Sequence, residues 1–503
     1  MAYSRPGVYI SERLLSAPVA GGSTANAAGA VVAPLASGPE AVTLVTSWYE
    51  FAKTFGGYNA SYPATFQVGS FFSNGGKELY VKRMLASDAI AASANIVTSG
   101  SSIVATVTSK NRGEDGNNLR VTISAGTVSG TYTLTVYKEG VAGTSMDVTN
   151  DVLLERYENI VFNDSTSSDY AETVVNLVSP NITISNSAAG TPVSTVYPLT
   201  GGNNGSPVVE LDYTNYNGTG DVVFAEFSSL NRPLVIFLPG INEANVGDAG
   251  DVYDAATSWS SENNCFVVVE TPKDNTVANA ISFAGGLTDT SYAAVYYPHI
   301  WVNDPVGRGS GALRKIGPSG AVAGLFLYTD SNQGVFKAPA GINTTVKGAV
   351  TTEKQFSTTE LDTLNSGNAP VNAIRQIPGA GIAVMGARTL LQDGTANKYV
   401  NMRRSLIYIK KRLRDLTEFA IFENNDERLW AQIRSSIIVF LNEYKNQGGL
   451  RGTTPAQAFF VKCDAENNSS AQIANGEVHI QVGVALQYPA EFIVIDLSQK
   501  TLN

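Results

Sequence analysis

Residues able to do chemistry are few in this 503-residue chain, and their spacing assembles no reactive set. The only two histidines, His299 and His479, lie far apart in strand-like contexts, so a histidine triad or a multi-histidine metal site lacks material. The Gly-x-Ser-x-Gly turn that presents a nucleophilic serine appears only in broken form around Gly309-Ser-Gly-Ala312, with no buried strand running into a helix. Gly307-Arg-Gly-Ser-Gly311 is glycine-rich like a phosphate cradle but lacks the Gly-Lys-Ser/Thr ending, and it reads as a surface turn. Asn74-Gly-Gly-Lys77 reads as a turn as well, because Glu78 stands where a magnesium-binding hydroxyl is needed. Asp330, Asp362, Asp393 and Asp464 are not paired by spacing for acid–base work and are assigned to solvated surface. The expectation is a chain with no catalytic, cofactor-binding or metal site, and no cofactor.

One charge signal stands out. Arg403, Arg404, Lys410, Lys411, Arg412 and Arg414 face only Asp415, in a chain whose formal net charge is −10. That acidic balance argues against a general nucleic-acid binder. Met402, Leu406, Ile409, Leu413 and Leu416 recur at steps of four and three, which predicts an amphipathic helix. On that helix Arg404 and Lys411 fall opposite the apolar stripe while Arg403, Lys410 and Arg414 flank it. The basic face is either solvated or turned to a partner.

The elements around this helix divide the chain into sections. Length predicts about two to four domains, and a composition of 43% apolar and 16% charged residues is that of folded, β-rich protein. Residues 1–25 read as an extended arm. Residues 26–88 begin an α/β domain, with an apolar run at Ala30–Ala33, a helix over Ser47–Phe55 and a strand over Glu78–Arg83. A Ser/Thr/Val-rich β insertion spans 89–204, with one helix near Ser168–Leu177. The α/β rhythm resumes over 205–375, where Pro233–Leu238, Cys265–Glu270 and Tyr292–Tyr297 predict buried strands of a partly parallel sheet.

Residues 376–488 form a C-terminal α+β domain. Its second helix is expected over Asp426–Gln447, capped by Asn424, striped by Trp430, Ile433, Ile437, Phe440 and Tyr444, and stopped at Gly448-Gly449. Strands are expected over Gln457–Cys463, Glu477–Leu486 and Glu491–Leu497, the last within a terminal arm at 489–503. Cys265 and Cys463 each sit in an apolar run and read as buried thiols, which fits a reducing site of synthesis. No apolar span of about 18 residues and no signal peptide is evident, so the expectation is a cytosolic product.

In order and spacing, several blocks resemble the contractile tail sheath family. The N-terminal Pro6-Gly-Val-Tyr-Ile-Ser-Glu12 is similar to the family's opening. More specific are His299-Ile-Trp-Val-Asn-Asp-Pro305, Gly317-Pro-Ser-Gly-Ala-Val-Ala-Gly324, Thr329-Asp330 and Lys337-Ala-Pro-Ala-Gly341. Downstream, Val384-Met-Gly-Ala-Arg-Thr389, Tyr399-Val-Asn-Met-Arg-Arg404, Phe422-Glu-Asn-Asn, Phe459-Phe-Val-Lys-Cys-Asp464 and Pro489-Ala-Glu-Phe492 continue the likeness.

The resemblance implies a mixed α/β and α+β multidomain structural subunit without enzyme activity. Many copies would polymerise helically around an inner tail tube, with the C-terminal domain innermost and the insertion outside, and would contract to drive the tube through a host envelope. Implied partners are other copies, the tube protein, and baseplate and tail terminator proteins, with no nucleic acid and no membrane insertion. The implied location is the virion tail, assembled in bacterial cytoplasm. Read onto this chain, intersubunit strands fall on Pro6, Gly7, Val8, Tyr9, Ile10 and Glu12 and on Pro489, Glu491, Phe492, Ile493 and Ile495. The tube-facing basic set is Arg403, Arg404, Lys410, Lys411 and Arg414. Rival readings are the sheath of a bacterial injection device or tailocin, an α/β enzyme, and a surface adhesin or capsid-like shell.

Overall fold

Ala28-Gly-Ala-Val-Val-Ala-Pro34 carries no polar side chain, which suits a strand covered on both faces. The computed structural model describes residues 27–139, 151–186, 190–218, 220–241, 249–307, 311–366, 369–392 and 396–491, and in it this run is β1 (Ala28–Pro34), inside an eight-stranded sheet. Next come β2 (Thr43–Val45), α1 (Trp48–Phe55), α2 (Ala64–Ser73) and β3 (Leu79–Met84). Helix α1 starts where Ser47 Oγ accepts from the Glu50 amide and stops at Gly56. β3 pairs parallel with β1, and β2 closes that edge antiparallel. The Asn74 turn is a rivet: its buried amide bonds both backbone groups of Lys347, accepting from the N–H at 2.7 Å and donating to the carbonyl at 3.2 Å.

The chain then leaves the sheet to build a second core. β4 (Ser93–Val97), β5 (Ile103–Ser109), β6 (Leu119–Ala125), β7 (Tyr132–Lys138), β8 (Val152–Ile160), α3 (Ala171–Val178), β9 (Ile182–Asn186) and β10 (Val196–Pro198) form sheets ordered β4-β5-β9 and β10-β6-β7-β8. Alternating residues of both sheets, among them Ile96, Val107, Val121, Leu134 and Ile184, bury a shared core that Ala171 and Val175 of α3 complete. At the root of this insertion the buried Arg83 guanidinium donates to the carbonyls of Leu35, Ala36, Gly38 and Arg112 and to the Asn204 side chain. A single charge thus ties the outgoing and returning strands to the α/β domain.

Back in that domain follow α4 (Glu210–Thr214), β11 (Leu234–Phe237), α5 (Ala249–Asn263), β12 (Phe266–Glu270), α6 (Val277–Gly286) and β13 (Ala293–Tyr297). After them come β14 (Ile300–Asn303), β15 (Leu313–Ile316), α7 (Ser319–Gln333), β16 (Ala349–Thr352), α8 (Thr358–Ser366), β17 (Val371–Ile377) and β18 (Gly381–Val384). The main sheet runs β18-β17-β13-β12-β11-β1-β3-β2, parallel from β17 to β3 with antiparallel edges. Alternate side chains of each strand feed two cores, one shared with α1, α2 and α7, the other with α5, α6 and α8. Helix α7 lies against α2 at the closest backbone approach: a Cβ on Gly320 would fall 2.3 Å from the Gln67 carbonyl, and one on Gly324 2.4 Å from that of Phe71. The expected domain division at 375/376 is corrected, because it cuts β17, whose hairpin with β18 completes this sheet.

The C-terminal part holds α9 (Val400–Thr417), α10 (Glu427–Asn446), α11 (Pro455–Ala458), β19 (Phe459–Lys462), α12 (Ser470–Ala474) and β20 (Gln481–Val484). The α9 stripe and the α10 stripe Trp430, Ile433, Ile437, Phe440 and Tyr444 face one another, with Trp430 at the margin and the rest in one core. The α10 cap is Asp426 rather than Asn424, its carboxylate accepting from the Leu429 amide at 2.9 Å. The strand expected from Gln457 begins two residues later, since Thr454 caps a helical turn that starts at Pro455. The strand expected from Glu477 shortens to β20, because Asn467 and Asn468 engage the backbone of His479.

Candidate assembly surfaces

The carboxyl ends of parallel strands are where an α/β protein would hold a ligand, and here the fold fills that place itself. Glu270, at the end of β12, is wholly buried. Its carboxylate accepts from Gln67 Nε2 at 3.1 Å, the Gly240 amide at 3.2 Å, and Ser319 through Oγ at 2.6 Å and N at 3.3 Å. An internal carboxyl group therefore occupies the N-terminus of α7, the place where a helix would receive an anionic ligand. Gly317 is required beside it, since a Cβ there would lie 2.0 Å from Glu270 Oε2. The one sequence signal for this cluster is an acid ending an otherwise apolar strand.

His299 and His479 are not brought together. His299 is buried beside Glu353, whose carboxylate is 3.8 Å from Nδ1, while His479 pairs with Glu477 at 2.7 Å. Burial, together with the nearby Lys273 and Lys315 ammonium groups, pulls His299 down to about 3. Burial alone pushes the free thiol of Cys265 up to about 12 and, as the main cause, that of Cys463 to about 11, so neither is a ready nucleophile. Among the described residues no group of His, Cys, Asp or Glu is arranged to hold a metal ion, and no helix is long and apolar enough to cross a membrane.

The basic helix requires two corrections. Arg404 does not face outward: it forms a bidentate ion pair with Asp330 of α7, with one bond at 2.7 Å, and its guanidinium lies 4.9 Å from the Phe326 ring. Arg403 is also buried, donating to Ser291 Oγ at 2.7 Å and lying 4.4 Å over the Tyr292 ring. Both arginines bolt α9 to the α/β domain, and Asp330 is a buried partner rather than solvated surface. The other three sit farther along the helix and are half-buried. Lys410 reaches Tyr292 Oη at 3.3 Å, Lys411 pairs with Asp415, and Arg414 donates to Asn231 at 3.1 Å.

Pro6, Gly7, Val8, Tyr9, Ile10 and Glu12 lie outside the described residues, as do Phe492, Ile493 and Ile495. Pro489 and Glu491 are described. Glu491, expected among the intersubunit residues, is held within its own chain, its carboxylate bonded bidentately by Arg388 at 2.8 and 2.7 Å. β19 and β20 form a two-stranded antiparallel sheet, extended among the described residues by a bridge between Leu450 and Leu486. The inner faces of the two strands pack on the C-terminal core, and on the outer face the Phe460 ring lies over Gly483. Among the described residues no other strand joins either long edge of this pair.

A buried carboxyl group of the chain itself fills the ligand position of the main sheet, and among the described residues the β19–β20 pair has no third strand. The chain belongs to the phage tail sheath family: the model for the phage tail sheath protein central domain matches residues 235–390, and that for the phage tail sheath C-terminal domain matches residues 392–500. Family membership makes the role structural rather than enzymatic. The tail sheath protein of Vibrio phage KVP40 is 27% identical over 179 residues, 35% of this chain and 26% of that relative. That of Salmonella phage ViI is 21% identical over 277 residues, 54% of this chain and 38% of the relative. The alignments thus span less than half the length of these two relatives. The same fold occurs in the crystal structure of a sheath tail protein from Listeria innocua, with TM-score 0.63, 16% identity, and 93% and 97% of the two chains covered. It also occurs in the sheath complex of an extracellular contractile injection system in the contracted state, with TM-score 0.57, 20% identity, and 99% of each chain covered.

Proposed function

We propose that this chain is the repeating subunit of a contractile sheath, which polymerises helically around an inner tube and shortens to drive that tube through a target envelope. The β19–β20 pair carries the proposal. A two-stranded sheet is marginal by itself, and two lengths of chain, residues 1–26 and 492–503, are available to extend it in a neighbouring copy. Each added strand of about four residues makes roughly two to four backbone hydrogen bonds worth about 0.5–1.5 kcal/mol each. Such links are individually modest and collectively strong when repeated along a lattice.

Pro6 to Glu12 and Phe492, Ile493 and Ile495 are the strand-adding residues in this reading. The C-terminal part faces the tube, and the β insertion lies outside. Lys410, Lys411 and Arg414 form the remaining basic contact toward an acidic tube surface, after removal of the two buried arginines from that set. Baseplate and terminator proteins cap the polymer, no nucleic acid or membrane is engaged, and assembly takes place in the bacterial cytoplasm before the tail is complete. A virion tail is the preferred setting, on the two phage relatives. An injection device is the second reading, supported by the full-length fold similarity to such a sheath.

Deletion of residues 1–22 tests the proposal. The truncated chain is expected to stay folded, with an unchanged circular dichroism spectrum, and to form no tubes by negative-stain microscopy under conditions where the full chain does. Normal tubes from the truncated chain would contradict it.

A further inference from the structure

The end of the described chain is fastened with more bonds than a passive tail needs. After β20, Ala485 accepts from the Arg451 amide at 3.0 Å, Gln487 accepts from Asn401 Nδ2 at 3.1 Å, and the Tyr488 ring meets Tyr399 edge-on at 6.4 Å. At Glu491 three bonds converge on one carboxylate, two from the Arg388 guanidinium and one from Tyr399 Oη at 3.2 Å. Arg388 is itself held on every side. Its amide donates to Asn372 Oδ1 at 2.8 Å, its carbonyl accepts from Asn372 Nδ2 at 2.8 Å, and Nη1 donates to the Asn365 carbonyl at 2.7 Å. Asn372 lies buried in β17 and also donates to the Val295 carbonyl of β13 at 3.0 Å. An unbroken line of bonds therefore runs from the last described residue into β17 and β13, the second and third strands of the eight-stranded sheet counted from its β18 edge.

We propose that the Arg388–Glu491 pair, backed by Asn372, is the anchor through which tension on the C-terminal arm enters the rigid α/β domain, sparing the β19–β20 hairpin. This rests on the arm-exchange reading above and goes beyond it, since it assigns where a pull from a neighbour is resisted. A pull on residues beyond Glu491 meets three bonds loaded together, whereas without them it would peel residues 485–491 away one bond at a time toward a sheet of only two strands. An exposed ion pair is commonly worth little, but bidentate geometry between a fixed guanidinium and a carboxylate within a network is the exception. Arg388 and Glu491 are positioning residues in this scheme: they fix the point from which the arm departs.

Hydrogen exchange on the full-length chain, compared among wild type, Glu491→Ala and the exchanged pair Arg388→Glu/Glu491→Arg, tests the anchor. Glu491 is on the tail, so its replacement leaves the body folded, and unchanged protection of β13 and β17 verifies this. Loss of charge-assisted bonds lets residues 485–491 peel away and predicts roughly ten-fold faster exchange of the Arg451 amide, which is bonded to the Ala485 carbonyl, in Glu491→Ala, with protection partly regained in the exchanged pair. Equal exchange of the Arg451 amide in wild type and Glu491→Ala would overturn the anchor. In assembled sheaths, Glu491→Ala is expected to release several-fold more free subunits on contraction, read by sedimentation; release equal to wild type would overturn the load-bearing role. If wild-type chain formed no sheath at all, the arm-exchange reading and the load-bearing role would fall together, while exchange would still decide the anchor.

Discussion

His299 shows how a single residue ties this fold to solution conditions. Its imidazole is enclosed and shares its surroundings with Glu353, Asp274, Lys273 and Lys315, and its pKa is lowered to about 3. Folded chain therefore keeps it neutral, while unfolded chain takes up a proton below about pH 6.5. The unfolded state binds more protons in that window, so stability must fall as pH drops from about 6.5 toward 3, by up to about 1.4 kcal/mol per pH unit from this group. Urea unfolding at pH 7 and pH 5 is expected to show a larger loss in wild type than in His299→Gln. Identical losses in both would remove His299 from the account. Arg404 makes the complementary point, since a charge buried against Asp330 and Phe326 fixes geometry at a seam and so cannot serve a partner.

At the scale of elements, α9 carries the most instructive departure from the sequence reading. Its stripe was legible because Met402, Leu406, Ile409, Leu413 and Leu416 keep a helical period, and all five pack in or against the C-terminal core. Its basic face was misread at the N-terminal half, because a helical wheel assumes burial on one side only. Ile407 falls off the stripe and joins the core of the main sheet, so this half is covered from two directions and its arginines must find partners inside. Asp330, read as solvated surface, could not be matched to Arg404 by spacing, since the two lie 74 positions apart. The parallel strands were legible as uninterrupted apolar runs; the order in which they pair was not, because register depends on contacts across the whole chain. Glu270 and Arg388 went unrecognised for the same reason. In the proposed function Lys410, Lys411 and Arg414 form the basic contact toward the tube, and their reversal to Glu should weaken tube-templated assembly, increasingly so at low salt where charge contacts are strongest. Assembly on the tube at wild-type levels, scored by co-sedimentation, would retire that contact.

For the whole molecule, the α/β domain, the tethered insertion and the two-helix C-terminal part have different mechanical roles. Arg83 ties the insertion's root to the α/β domain, the Arg403 and Arg404 contacts join α9 to it, and the Arg388–Glu491 pair fastens the tail. Among the described residues the smallest sheet is the β19–β20 pair, and the proposed function turns on what completes it. A helical reconstruction of the assembled sheath by electron cryomicroscopy, traced through residues 1–26 and 492–503, decides this most directly. The account predicts that strands from two other copies lie along the open edges of β19 and β20. Density showing both ends folded against their own hairpin, with no chain crossing between copies, would contradict it.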